Sequence, residues 1–163
     1  MTNISKSTNN KFQIIFPLLP FDSGLSDQQQ FKLNIIDGVL PSFNLSVEDV
    51  PWRGGNVKYE MGFESFGEWT TTFAIDSNFT SWQTISNWMF NIANNKDIHG
   101  LDDQSHVTDA NLHVLDNFNN KILDIQFSNV WPSNLGEVSF SYADNSDLLT
   151  CSVTFQYDRF EVV

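Results

Sequence analysis

An alternation of apolar and polar residues, repeated in eight runs along the chain, restricts it to a few possible folds. The last run shows the pattern most clearly, because apolar side chains alternate with small polar ones: Cys151, Val153, Phe155 and Tyr157 against Thr150, Ser152, Thr154 and Gln156. A period of two with one apolar face is typical of a half-buried β-strand. Further alternating runs lie at 12–16, 31–35, 57–63, 69–75, 107–116, 121–127 and 138–142. The sequence therefore predicts a mainly β protein.

A single helix is expected at about residues 80–94. Its apolar residues recur at helical spacing, as Trp82, Ile85, Met89 and Ile92 show. One helix among many strands indicates an antiparallel β-sandwich or barrel with the helix on one flank. A length of 163 residues suits one domain, so residues 1–163 are expected to form a single unit.

Residues 130–137 are expected to turn the chain between two strands. Pro132 has no N–H to donate to a strand ladder, and Gly136 accepts a positive φ, so the chain is predicted to reverse between them. The strand expected after this turn places Ser139 and Ser141 on its polar face.

Residues 39–68 are expected to form a long protruding hairpin loop. Several Pro and Gly residues interrupt this segment, but Val57, Tyr59 and Met61 alternate with charged residues as one arm of a hairpin would. Large apolar side chains are dense here. Such a segment either folds back onto the core or docks onto another chain.

The charge of the chain excludes some classes of function. Asp and Glu number 20 against 8 Lys and Arg, which gives a formal net charge of −12. A surface this acidic repels phosphate and anionic lipid, so tight binding of DNA or of a membrane is not expected. No segment is apolar enough to span a membrane. The single Cys151 lies on the apolar face of a strand and is expected to be a buried, reduced thiol.

The sequence contains no recognisable catalytic or metal-binding motif. The even spacing of His99, His106 and His113 fits no zinc template, and Asp102 with Asp103 lacks the turn Gly of a calcium loop. Nucleophile elbows, phosphate loops and dinucleotide fingerprints are absent. We therefore expect no enzyme activity, no metal site and no cofactor.

Two blocks of sequence, in this order, resemble a known family. The first comprises residues 40–41 (LP), the run 57–63, and residues 66–70 (FGEWT) at the opening of a strand before the helix. The second is the run 131–137 (WPSNLGE), followed by a polar strand, a loop at 144–145 and a closing strand. Together they resemble the tail tube protein of contractile-tailed, myovirus-type bacteriophages.

This resemblance implies a structural virion protein that is made and assembled in the host cytoplasm. Its hexameric rings would stack into the inner tail tube, with the sheath, baseplate and tail terminator proteins as partners and DNA passing through without specific binding. The long loop would contact the next ring, and its residues form the predicted interface: Trp52, Arg53, Gly54, Gly55, Tyr59, Met61 and Phe63. Polar strand residues, together with Asp and Glu on the barrel-forming strands, would line the lumen: Ser139, Ser141, Ser152, Thr154 and Gln156.

Two other interpretations remain open. A tube-initiating baseplate protein, or the inner tube of a related contractile injection system such as type VI secretion, would share the fold. An acidic β-sandwich binding module, for example for carbohydrate, would use an exposed Trp52 as its platform. The size of the particle in solution distinguishes the binding module from a tube protein, because a binding module stays monomeric and a tube protein forms rings or fibres.

Overall fold

The computed structural model describes residues 11–19, 31–94, 106–142 and 148–163. Ten strands and one helix follow in this order: β1 (Lys11–Phe16), β2 (Phe31–Leu33), β3 (Ile35–Gly38), β4 (Phe43–Trp52), β5 (Gly55–Phe66), β6 (Trp69–Ala74), α1 (Thr80–Asn94), β7 (Thr108–Leu115), β8 (Lys121–Leu135), β9 (Thr150–Gln156) and β10 (Arg159–Val162). Every strand pairing among these residues is antiparallel.

Eight of the strands form one sheet, which we call the body. Its order is β2-β1-β7-β8-β9-β6-β3, and β10 pairs with the first part of β8. The first part of β8 pairs with β7, and its last residues, from Trp131 onward, pair with β9. Asn129, which has a φ of 54°, lies two residues before β8 begins to pair with β9. The sheet is therefore divided at β8 into two halves that share this strand.

Aromatic side chains from both halves of the sheet fill the space between them. The rings of Trp69 and Phe127 stack 3.9 Å apart, and Phe16 lies 5.5 Å from Phe155. Trp88 of α1 meets Phe16 edge-on at 5.7 Å, so the helix covers one side of this core. The expected mainly β fold, an antiparallel β-sandwich or barrel with one flanking helix at about 80–94, is confirmed.

The predicted turn at 130–137 is wrong, because β8 continues through it to Leu135. Pro132 lies in a strand segment that pairs with β9 on one edge only, which is the kind of strand position where proline is tolerated. Gly136 does not turn the chain either, since its N–H donates to the Ser152 carbonyl at 2.7 Å. The strand predicted to follow is also wrong: Ser139 and Ser141 lie beyond β8 and outside any strand.

The predicted hairpin is confirmed, and its strands are longer than the Pro and Gly content suggested. β4 and β5, of 10 and 12 residues, form a separate two-stranded sheet that we call the hairpin. Its turn consists of Arg53 and Gly54, with φ values of 42° and 86°. Positive φ at both central residues is typical of the tight turns that join twisted strands.

Candidate assembly surfaces

The hairpin has two different faces. Register places Val50 opposite Val57 and Trp52 opposite Gly55, and the alternation of β5 continues this side through Tyr59 and Met61. These residues form the apolar face of the hairpin. The other side pairs Asp49 with Lys58 and is mostly charged, while Glu48, opposite Tyr59, is a charged member of the apolar face. An amphipathic hairpin of this kind has one surface suited to another protein and one suited to water.

The apolar face is exposed in the single chain. Trp52, Tyr59 and Met61 are 63%, 54% and 45% exposed. The sequence placed these interface candidates correctly on one hairpin, together with Arg53, Gly54 and Gly55 at and beside the turn. Phe63 belongs to β5, but its side chain lies outside the description. Val47 of β4 is exposed too, but register places it opposite Glu60, on the other side of the hairpin.

An aromatic cluster joins the hairpin to the body. Phe66, in the last position of β5, lies 5.4 Å from Phe43 and 5.0 Å from Phe160 of β10. Tyr157 donates a hydrogen bond from its hydroxyl to the Gly67 carbonyl at 2.6 Å. Burial raises the pKa of Tyr157 to about 12. These contacts fix the base of the hairpin.

A second surface covers the half of the body formed by β3, β6, β9 and the end of β8. Most of the side chains that point away from the core here are small, polar and uncharged: Thr70, Thr72, Asn134, Ser152, Thr154 and Gln156. Register adds Trp131, opposite Gln156, and Asp37, opposite Thr72. We call this surface the polar face. The Thr70 and Thr154 hydroxyls lie 3.0 Å apart and share a hydrogen bond. Three of the predicted lumen residues, in β9, therefore lie on one face.

The sequence contained a signal for the remaining members of the polar face. Trp69, Thr71 and Phe73 point to the core, so Thr70 and Thr72 must point away from it. Both were left out of the predicted lumen set. Ser139 and Ser141, which were included, do not belong to a strand of this sheet.

Charge is almost absent from the strands of the polar face. The described basic residues all lie elsewhere: Lys11, Lys32, Arg53, Lys58, Lys121 and Arg159. Asp37 of β3 is the one charged residue within these four strand segments. Hydroxyl and amide groups dominate this face, where the sequence had suggested carboxylates.

The two described histidines, His106 and His113, have other contacts. Within the described part of the chain, no group of three His, Cys, Asp or Glu residues could hold a metal ion. His113 Nε2 lies 3.4 Å from Asp124 Oδ1, and His106 accepts a hydrogen bond from Trp88 Nε1 at its carbonyl oxygen. His99, Asp102 and the loop at 144–145 lie outside the described residues. No described helix is long and apolar enough to cross a bilayer.

The model of the phage tail tube protein family matches residues 7–163, which is nearly the whole chain. The chain belongs to the phage tail tube protein family. The tail tube terminator protein of Enterobacteria phage T4 is 28% identical to this family member over 137 residues, which cover 81% of this chain and 78% of that protein. The family is a structural one, so this tail tube family member is a component of the phage tail.

Solved structures share the fold of this tail tube family member. One chain of the anti-feeding prophage baseplate superposes with a TM-score of 0.64 at 11% identity, covering 95% of this chain and 93% of that one. A chain of the PVC sheath/tube terminator, from an extracellular contractile injection system in the extended state, gives 0.63 at 14% identity, covering 94% and 93%. The resemblance seen in the sequence is therefore confirmed for the family and for the fold.

Proposed function

We propose that this chain is the tail tube terminator of a contractile-tailed phage, a ring that ends the tube. The observation that carries the proposal is its 28% identity to the T4 tail tube terminator over 81% of its length. This refines the interpretation drawn from the sequence, in which the chain formed the tube and the terminator was its partner. The function remains structural, with no catalytic step.

In this proposal six copies form the ring, and the polar face lines the channel. The strands of that face contain no Lys or Arg, and most of their outward side chains are hydroxyls and amides. DNA held by basic side chains loses mobility, because each phosphate contact adds to binding. A channel with this lining lets DNA pass without holding it. Ser152, Thr154 and Gln156 are thus retained as proposed lumen residues, joined by Thr70 and Thr72.

The apolar face of the hairpin is the proposed contact with the adjoining ring. Trp52 and Tyr59 are large and exposed, and the Arg53 guanidinium lies over the Trp52 ring; these residue types concentrate binding energy at protein interfaces. Hairpin residues Gly54, Gly55, Met61 and Phe63 remain part of this proposed interface. The last tube ring and the end of the sheath are the proposed partners, and assembly would take place in the host cytoplasm.

A second candidate function is the tube subunit itself. The run 131–137 that resembles tube proteins favours it, and so does an exposed hairpin able to meet another ring. The two candidates differ in how far assembly proceeds. A tube subunit adds ring upon ring, whereas a terminator adds once and stops growth.

The experiment that separates them is negative-stain electron microscopy of the purified chain, alone and mixed with growing tubes of the phage's tube protein. A terminator is expected to form rings that do not lengthen, to appear at one end of the tubes and to stop their growth. Long hollow fibres from the chain alone would establish the tube subunit instead. A particle that stays monomeric and leaves tube growth unchanged would overturn both and favour the binding module.

A matched pair of variants tests the role of the hairpin in the same assay. Trp52→Ala with Tyr59→Ala removes the largest apolar side chains and is expected to abolish attachment to tube ends while the chain stays folded. Lys58→Ala, on the charged face of the hairpin, is the control and is expected to attach normally. If both variants attach equally well, the apolar face is not the contact.

A further inference from the structure

An apolar cleft of about 380 Å³ lies in the body beside the edge strand β3. Its walls include Phe12 and Ile14 of β1, Trp69 of β6 and Leu112 of β7. This volume falls in the range of pockets that hold a ligand or a protein side chain. Apart from Asp37, its lining residues belong to neither assembly surface described above.

The cleft contains two polar groups without partners. Thr71 lines it and is 2% exposed, and its Oγ1 has no hydrogen-bond partner among the described residues. Buried hydroxyls are normally paired, so this one is suited to a polar atom that arrives with an occupant. Asp37 lies on the same cleft, is exposed, and forms no ion pair within the described ranges.

The turn of the hairpin carries groups that match this cleft. Trp52 has an apolar ring with one N–H donor. Arg53 carries a positive charge, which is complementary to the Asp37 carboxylate. The Arg53 guanidinium lies 5.8 Å from the centre of the Trp52 ring, and no carboxylate pairs with it in the described part of the chain. On a chain with a net charge of −12, an unpaired Arg beside an exposed indole is a distinctive combination.

The hairpin of the same copy cannot fill this cleft. Leu40 lines the cleft, and β4 begins only a few residues later, at Phe43. The base of the hairpin therefore lies near the cleft. Ten residues of extended strand then carry the turn about 30 Å away from that base. An occupant with this chemistry has to come from another molecule.

We propose that the Trp52–Arg53 turn of one copy docks in the cleft of a second copy. The indole packs against the apolar walls, its Nε1–H donates to Thr71 Oγ1, and Arg53 pairs with Asp37. Turn and cleft are different surfaces, so the contact is head-to-tail and can repeat around a ring. This inference rests on the proposed function, since it supplies the contact between copies that would form the proposed ring.

Charge exchange tests the Arg53–Asp37 pair. Arg53→Asp and Asp37→Arg are each expected to reduce self-assembly at least about tenfold, because each places like charges together. The double variant restores the pair with its polarity reversed and is expected to regain most of the assembly seen in the unchanged protein. Analytical ultracentrifugation gives the assembled fraction. A double variant that assembles no better than the single ones would overturn the proposal.

Zero-length cross-linking identifies the contact directly. In Arg53→Lys the charge is kept, and a carbodiimide can join the new amine to the Asp37 carboxylate. When ¹⁵N-labelled and unlabelled copies are mixed, mass spectrometry should find peptides that link positions 37 and 53 across the two isotopes. Asp37→Asn is the control and should lose only this link.

These results separate the docking proposal from the proposed function. Rings that cap tube ends but yield no link between positions 37 and 53 would overturn the docking and leave the terminator proposal standing. Intermolecular links between these positions in a chain that caps no tube would support the docking and overturn the terminator proposal. Loss of both would overturn both.

Discussion

The body and the hairpin have similar alternating sequences but use their apolar residues differently. In the body the apolar face of each strand meets another strand or α1, and Trp69, Phe127 and Phe155 are almost completely buried. In the hairpin the apolar face of β4 and β5 meets no other described element beyond the aromatic cluster at its base. Alternation therefore specifies a strand, but it does not specify whether the partner lies in the same chain.

The hairpin should depend on its partner for much of its order. A two-stranded sheet alone in water is marginally stable, because it cannot bury both faces of its strands. The hairpin is held by its base, through Phe43, Phe66 and Phe160. This arrangement suits a contact element, since docking onto a neighbouring ring would supply the burial that the single chain lacks. Matched substitutions in the body and the hairpin therefore measure how differently the two regions depend on burial within the chain.

The largest expected effect is in the body, at Trp69. Its ring stacks on Phe127 at 3.9 Å and is 1% exposed, so Trp69→Ala should lower the free energy of unfolding by about 3–5 kcal/mol. Trp52→Ala removes the same side chain from the hairpin and should change it by less than about 0.5 kcal/mol. Urea denaturation followed by circular dichroism measures both. A similar loss of unfolding free energy at the two positions would show that Trp52 packs within its own chain and stabilises the fold.

The second effect is at Gly136, directly after β8. A Cβ there would lie 3.1 Å from the Ser152 carbonyl oxygen and closer still to the Ser152 hydroxyl. Gly136→Ala must therefore displace β9 or weaken the hydrogen bond from the Gly136 N–H, at an expected loss of about 1–3 kcal/mol. Thermal unfolding should show the decrease as a lower Tm. An unchanged Tm would mean that β9 can shift to accommodate the added methyl group without loss of stability.

Gly136 also shows where prediction from the sequence reached its limit. Alternation located most strands of the body, though not β10, and the stripe on α1, because apolar faces that meet a core leave a strong local pattern. Pro132 and Gly136 were taken for turn residues, since the residue types are the same in a turn and in a strand segment that pairs on one side only. Which edge of β8 has a partner is a property of the whole sheet, and no local pattern records it.

The assembly surfaces were predictable to different degrees. Tyr59 and Met61 stood out because large apolar residues alternated with charged ones in a segment rich in Gly and Pro. Thr154 stood out as the polar side of a clear strand, but its partner Thr70 lies 84 positions away and is joined to it only by the pairing of β6 with β9. The cleft at β3 was not foreseen, because its lining comes from four strands.

A smaller effect is expected at the junction of the two regions, at Tyr157. Tyr157→Phe removes the hydrogen bond to the Gly67 carbonyl and should cost about 1 kcal/mol, mainly as faster hydrogen exchange at the ends of β4 and β5. If the exchange rates in the hairpin are unchanged in this variant, the hydrogen bond from Tyr157 does not fix the hairpin base.

Tyr157 also predicts a dependence on alkaline pH. Burial raises its pKa in the folded state to about 12, above the value of about 10 in an unfolded chain. The neutral phenol therefore contributes its full stabilisation below about pH 10, and this contribution is lost as the pH rises toward 12. Stability measured by urea denaturation across that range should fall more steeply in the unchanged protein than in Tyr157→Phe. Parallel curves would contradict the assignment.

The smallest effect is expected at Gly55, the hairpin counterpart of Gly136. A Cβ at Gly55 would meet only the Trp52 carbonyl oxygen, at an ordinary 3.9 Å, and Gly55 is not among the residues with positive φ. Gly55→Ala should therefore leave the free energy of unfolding within about 0.5 kcal/mol, measured with Gly136→Ala in the same series. The same added methyl group then distinguishes a strand end packed against its neighbour from one exposed to solvent. A large loss at Gly55 would mean that the hairpin turn packs against the body, and that Trp52 is not available to a second copy.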